Sequence, residues 1–225
     1  MTWVTSDIDR KKERNKALTI SLGIFLSFLV VTQQVMSEGY LFQLDHKIKE
    51  IKHHTFTGLS SHLLLALDDL GLRWVSGICL ALVALWISYT YRSWRPINLS
   101  ILTILALNCA VGFVKIVFGR TKPRLQVDVL HSQFLGAYPS GHSSNAILTY
   151  GMVAYLLYRY TRVLPLKLWQ LEAVAGTITF VVCMVSLIRD THWFSDLLGG
   201  VLLGAAILLF FIALDRAWPS KNQPS

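Results

Sequence analysis

Six long stretches without a charged side chain govern what this chain can become. They are residues 17–36, 74–91, 97–114, 143–158, 173–188 and 197–214. A bilayer core about 30 Å thick is crossed by roughly 17–25 apolar residues in an α-helix. Four stretches are long enough alone, whereas 143–158 and 173–188, at sixteen residues each, need a few flanking residues. The expectation is an all-α fold: a six-transmembrane-helix bundle with an interfacial helical segment between spans one and two. The first stretch is too long for the apolar core of a signal peptide, and no A-x-A-like cleavage site follows it, so it reads as a retained anchor.

The interfacial segment is expected within residues 40–71. Its first half mixes apolar residues with His46, Lys47, Lys49, Lys52, His53 and His54, which suits a helix lying among lipid headgroups. Residues 56–67 are apolar but too short to span, and Asp68, Asp69 and Gly71 read as a cap and turn. The chain thus divides into a basic N-terminus, 1–16, a six-span domain, 17–216, and a short tail, 217–225. Cys79, Cys109 and Cys183 all fall inside apolar stretches without metal or disulfide spacing, and read as small buried hydrophobes.

A net charge of +8 raises the question of nucleic acid. A nucleic-acid binder gathers Lys and Arg on one solvated face; here they fall in short clusters between apolar segments, as topology determinants do. With the N-terminus inside, segments 1–16, 92–96, 159–168 and 215–225 hold twelve of the 21 Lys and Arg. This bias places both termini in the cytoplasm of a multi-pass cell-membrane protein.

That topology brings three polar clusters to the extracytoplasmic face. They are Lys115 to Arg124, Pro139-Ser140-Gly141-His142, and Arg189 to Asp196. Lys115, Arg120, Lys122, Arg124 and Arg189 make a cationic mouth beside low-dielectric surroundings, where an anion is held strongly. Ser140 and Gly141 open a helix whose first N–H groups and positive dipole end favour a phosphate. His192 and Asp196 stand four residues apart, one helical face if both are in a helix. A carboxylate on one ring nitrogen leaves the other free as a nucleophile. His142 is then the acid for the leaving oxygen and the base for the attacking water. No cofactor and no metal is called for: H-E-x-x-H is absent and the acidic residues near the histidines are few.

The clusters resemble the motifs of the type 2 phosphatidic acid phosphatase superfamily, which are K-x6-R-P, P-S-G-H and S-R-x5-H-x3-D. Here they stand as Lys115-x6-Lys122-Pro123, Pro139-Ser140-Gly141-His142 and His192-x3-Asp196, and the resemblance covers roughly residues 60–215. It implies His192 as phosphohistidine nucleophile, Asp196 as its orienting partner, His142 as general acid, and Lys115, Ser140 and Gly141 as phosphate ligands. Two positions depart from the pattern. Lys122 replaces an arginine, and Ser186 stands where an arginine is expected, with Arg189 one turn later as its candidate substitute.

The resulting expectation is an integral-membrane lipid phosphatase or diphosphatase, with undecaprenyl diphosphate as the favoured substrate. Phosphatidic acid and phosphatidylglycerol phosphate are alternatives, as are a lipid-linked phosphotransferase and a non-catalytic headgroup binder. Gly200 and Gly204 form a small-xxx-small pair that either joins two copies or packs within one.

Overall fold

The computed structural model describes residues 7–51, 58–125, 136–161 and 167–217. These form eight α-helices: α1 (Asp7–Met36), α2 (Tyr40–Ile51), α3 (Leu59–Asp68), α4 (Arg73–Tyr91), α5 (Arg95–Val117), α6 (Gly141–Tyr160), α7 (Leu168–Ile188) and α8 (Phe194–Ala217). Short 3-10 turns occupy Asp69–Gly71 and Pro123–Leu125. No strand occurs among the described residues. Lys52, His53 and His54 lie outside them, as do residues 1–6 and 218–225.

Among the described residues, five helices are long and apolar enough to cross a membrane: α1, α4, α5, α7 and α8. Flanking residues join the spans, as the short stretch at 173–188 requires: α7 begins at Leu168, and α1 begins at Asp7, inside the basic N-terminus. The sixth expected span, α6, has twenty residues, about 30 Å of helix, yet is less apolar. The reason is its place in the bundle. It packs against α4, α5, α7 and α8, so Ser143, Ser144, Asn145 and Thr149 are buried among protein rather than turned to lipid. A helix surrounded by other helices has no need of apolar residues all round.

Two apolar clusters hold the bundle. One joins Leu80 and Ile87 of α4 to Met152 and Leu156 of α6 and Ile212 of α8. The other joins Phe28 and Val35 of α1 to Leu107 and Val111 of α5 and Leu203 of α8. The opposite faces carry exposed Leu82, Leu105, Phe113 and Phe180, the pattern of surfaces that meet hydrocarbon. Cys109 also lies on an exposed face and is not buried as expected; Cys79 and Cys183 are half-buried.

Gly200 and Gly204 pack within the chain. A Cβ on Gly200 would stand 2.5 Å from the Ser140 carbonyl oxygen, and one on Gly204 2.7 Å from that of Ser144. Glycine is therefore what lets α8 lie against the start of α6. At the far end of the bundle, buried Asp215 accepts bonds from Arg95 Nε (2.6 Å), Tyr155 (2.5 Å) and Tyr160 (2.8 Å), fastening α5, α6 and α8.

Candidate active site

The α6–α8 contact brings two of the three polar clusters together. The Ser140 N–H donates to the Asp196 carbonyl oxygen at 2.9 Å, and the Ser143 hydroxyl donates to that of Leu197 at 3.1 Å. Ser140 caps α6, its hydroxyl accepting from the Ser143 N–H. It is fully buried, so the side chain faces the helix rather than the mouth. The N–H groups of Gly141 and His142 stay outside the helical ladder. A Cβ on Gly141 would meet nothing within 4 Å, so an anion has room to approach them.

His142 and His192 face each other with ring centroids 6.3 Å apart. His192 does not share a helix face with Asp196, contrary to expectation, because α8 begins only at Phe194. Trp193 is its N-terminal cap. The Asp196 carboxylate reaches back to accept the Trp193 N–H at 3.0 Å, the reciprocal half of a capping box. The same Oδ2 stands 3.5 Å from His192 Nδ1, at the outer limit of hydrogen-bonding reach. No hydrogen bond is formed there, and Nδ1 is buried without a partner. An unmet buried polar atom costs about 1–3 kcal/mol, so a small ring movement closing this pair is favourable. Catalytic bonds that are long in a free site commonly tighten around substrate.

The cations divide into two groups. Lys115, in the last turn of α5, donates from its ammonium to the Gly136 carbonyl, and has Asp196, Lys122 and Arg73 as charged neighbours. Lys122 is exposed and within electrostatic reach of His142, as are Asp68 and His192. Arg124 is exposed and donates to the Arg189 carbonyl at 3.1 Å. Arg189, at the end of α7, binds Asp68 at 2.5 Å, its side chain about a fifth exposed. Asp68 also accepts from Ser186 at 2.7 Å. One carboxylate thus ties the expected arginine position to its candidate substitute.

Arg120 is not at the mouth. It is wholly buried, with Nη1 donating to Asp45 at 2.8 Å and Ser195 at 2.9 Å and lying 3.5 Å from Asp196 Oδ1. Its guanidinium lies over the rings of Phe42 (5.0 Å) and Trp193 (4.7 Å). Two carboxylates and two aromatic faces account for a buried cation at this depth. Burial pushes the Asp45 carboxyl above its usual range, against the opposing pull of Arg120 and Ser195. Asp45, Asp68 and Ser195 join the site although no local motif marks them. Their partners are 118 to 150 positions away for the Asp68–Ser186 and Asp45–Ser195 bonds. The one local signal for Asp45 is its spacing with Phe42, His46 and Lys49, which places the four on one face of α2.

An all-helical protein with several apolar helices and a histidine pair at the meeting of α6 and α8 belongs among integral-membrane proteins with a polar site at one end of the bundle. The PAP2 superfamily model matches residues 96–219, more than half of the chain, and the chain belongs to that superfamily. Phosphatidylglycerophosphatase B of Bacillus subtilis (strain 168) is 34% identical over 93 residues, 41% of this chain and 44% of the relative. The chain therefore matches less than half the length of that relative. The crystal structure of a transmembrane PAP2 type phosphatidylglycerolphosphate phosphatase from Bacillus subtilis superposes with a TM-score of 0.78. It is 20% identical, and the match covers 89% of this chain and 98% of that one. This supports the fold.

Proposed function

We propose that the protein is an integral-membrane phosphatase of lipid phosphates that works through a phosphohistidine, with α6 as its sixth span. The observation that carries the reading is the facing pair of imidazoles, 6.3 Å between centroids, with Asp196 behind His192. That spacing admits one phosphorus atom between the rings.

In the proposed reaction the free Nε2 lone pair of His192 attacks phosphorus. The bond to the lipid oxygen breaks, and that oxygen takes a proton from His142. Asp196 holds Nδ1–H and balances the positive charge on the phosphorylated ring. Water then loses a proton to His142 and attacks the phosphohistidine, releasing inorganic phosphate and free His192. An ammonium has three donors, so Lys115 retains two for phosphate beyond its bond to Gly136. Lys122, Arg189 and the N–H groups of Gly141 and His142 complete the cradle, which stabilises the charge on the transferring group. Arg120 is assigned to support beneath the site rather than to phosphate.

For the substrate, the reading moves from undecaprenyl diphosphate to phosphatidylglycerol phosphate. Both Bacillus relatives are named for that lipid, and no feature of the site favours the diphosphate. Lipid in the bilayer, entering the site from an extracytoplasmic face, completes the proposal. The test is phosphate release by purified protein from phosphatidylglycerol phosphate, phosphatidic acid and undecaprenyl diphosphate, with His192→Ala as control. The highest kcat/KM is expected on the first. No release from any lipid phosphate, or full turnover by His192→Ala, overturns the reading.

A further inference from the structure

Helix α2 turns Phe42, Asp45, His46 and Lys49 onto the segment that carries His192, at the spacing of one helical face. Phe42 covers the Arg120 guanidinium. His46 packs on the Trp193 ring at 5.1 Å. Lys49 lies over the same ring and donates to the Pro123 carbonyl at 2.9 Å. Asp45 is 1% exposed and accepts three hydrogen bonds from the site. Its Oδ1 accepts the Ser195 N–H at 2.9 Å, and its Oδ2 accepts the Ser195 hydroxyl at 2.5 Å and Arg120 at 2.8 Å. The opposite face of α2 is exposed and polar, with Gln43, Lys47 and Glu50.

We infer that Asp45 is a positioning residue that neutralises Arg120, so that the Asp196 charge stays available to His192 and the interfacial helix is coupled to the catalytic pair. The inference rests on the phosphohistidine reading above. Its basis is a count of charge. Arg120 lies between two buried carboxylates, 2.8 Å from Asp45 and 3.5 Å from Asp196. The three groups together leave one negative charge beside His192, which matches the positive charge the ring acquires on phosphorylation. Without Asp45, Arg120 and Asp196 cancel, and this group presents no net negative charge to the ring. Asp45 also holds the Ser195 N–H in the first turn of α8, one residue from Asp196. Geometry and charge therefore act through the same carboxylate.

The other charged and titratable groups around His192 are unchanged by substitutions at Asp45. His142 of α6 faces His192, Lys49 of α2 and Asp190 before α8 line the same crevice, and His46 packs on the adjoining Trp193. Lys115 of α5 is a charged neighbour of Asp196, and Asp68, Asp69 and Lys122 are charged neighbours of His142. The experiment measures kcat/KM against pH on phosphatidylglycerol phosphate for the wild type, Asp45→Asn, Asp45→Glu, Asp45→Asn/Arg120→Gln and His192→Ala. The acid limb reports the group that must lose its proton to attack.

Asp45→Asn is expected to move the acid limb to lower pH by roughly one unit and to lower the plateau roughly tenfold or more. Asp45→Glu keeps the charge, so its limb stays in place even where its plateau falls. The double variant removes both buried charges, a change often tolerated, and returns the limb to its wild-type position. A merely structural aspartate lowers activity without moving the limb. Unmoved limbs throughout, with His192→Ala inactive, overturn this inference alone. Turnover by His192→Ala overturns the phosphohistidine reading and the inference with it. Should Asp45→Asn not accumulate, the double variant decides: turnover with an unmoved limb supports the compensation, and loss of turnover overturns it.

Discussion

Replacing Gly200 by alanine adds a single methyl group at the α6–α8 contact and changes no chemistry. The new Cβ would stand 2.5 Å from the Ser140 carbonyl oxygen, about 0.9 Å short of the 3.4 Å at which ordinary contact begins. The Ser143 hydroxyl, also in its way, can rotate, but the Ser140 carbonyl is backbone and cannot. The helices must therefore separate by most of that shortfall, carrying Ser140, Gly141 and His142 away from His192. Overpacking of this kind costs about 1–3 kcal/mol of stability. A misplacement of about 1 Å in a catalytic geometry costs on the order of 100-fold in rate. The assay is kcat for phosphate release from a lipid phosphate, alongside thermal unfolding in detergent. Gly176→Ala, where a Cβ meets nothing within 4 Å, is the control. It should leave kcat unchanged and stabilise α7 by up to about 1 kcal/mol. Wild-type kcat in Gly200→Ala would refute the idea that this contact sets the distance between the histidines.

Other outcomes follow from the same geometry. His142→Ala should slow turnover by roughly 10²–10⁴-fold, read as kcat on a natural lipid phosphate; an unchanged kcat removes it as acid and base. Arg189→Ala should cost roughly 10–100-fold in kcat/KM if its guanidinium stands in for the arginine missing at Ser186, and near-normal turnover would take it out of the site. Asp215→Asn should lower stability by roughly 2–4 kcal/mol, because it weakens the bonds from Arg95, Tyr155 and Tyr160; denaturant unfolding measures this, with kcat on the remaining folded protein unaffected. Prior treatment with a chelator should leave turnover unchanged, since the proposed reaction draws its charge stabilisation from Lys115, Lys122 and Arg189.

Local pattern carried much of this fold. The long uncharged runs are helices in every case, because burial of backbone polar groups in lipid leaves a helix few rivals. Absence of charge and apolar character part company at α6, which is uncharged over 143–158 yet is not among the five helices apolar enough to count as spans. Its Ser, Asn and Thr residues are hidden by neighbouring helices, and no local window of sequence reveals which helix stands at the centre. His142, His192 and Asp196 were legible because short spacings tie them to a chemistry. Arg120 was not, since a cation at the mouth and a cation beneath it look alike until Asp45 and Phe42 are brought against it from 75 residues or more away. In sequence Asp68 reads as part of a turn, yet it binds both Ser186 and Arg189. The helix limits also mattered: with α8 starting at Phe194, His192 meets Asp196 across a capping turn rather than along a helix.

Phosphate held between two rings is the heart of the account, and a trapped phosphoenzyme tests it most directly. Rapid acid-free quenching after exposure to ³²P-labelled phosphatidylglycerol phosphate should leave an acid-labile, base-stable label on the peptide containing His192. Label should be lost in His192→Ala and should persist longer in His142→Ala. Turnover without a labelled protein, or label on any residue other than His192, would contradict the account.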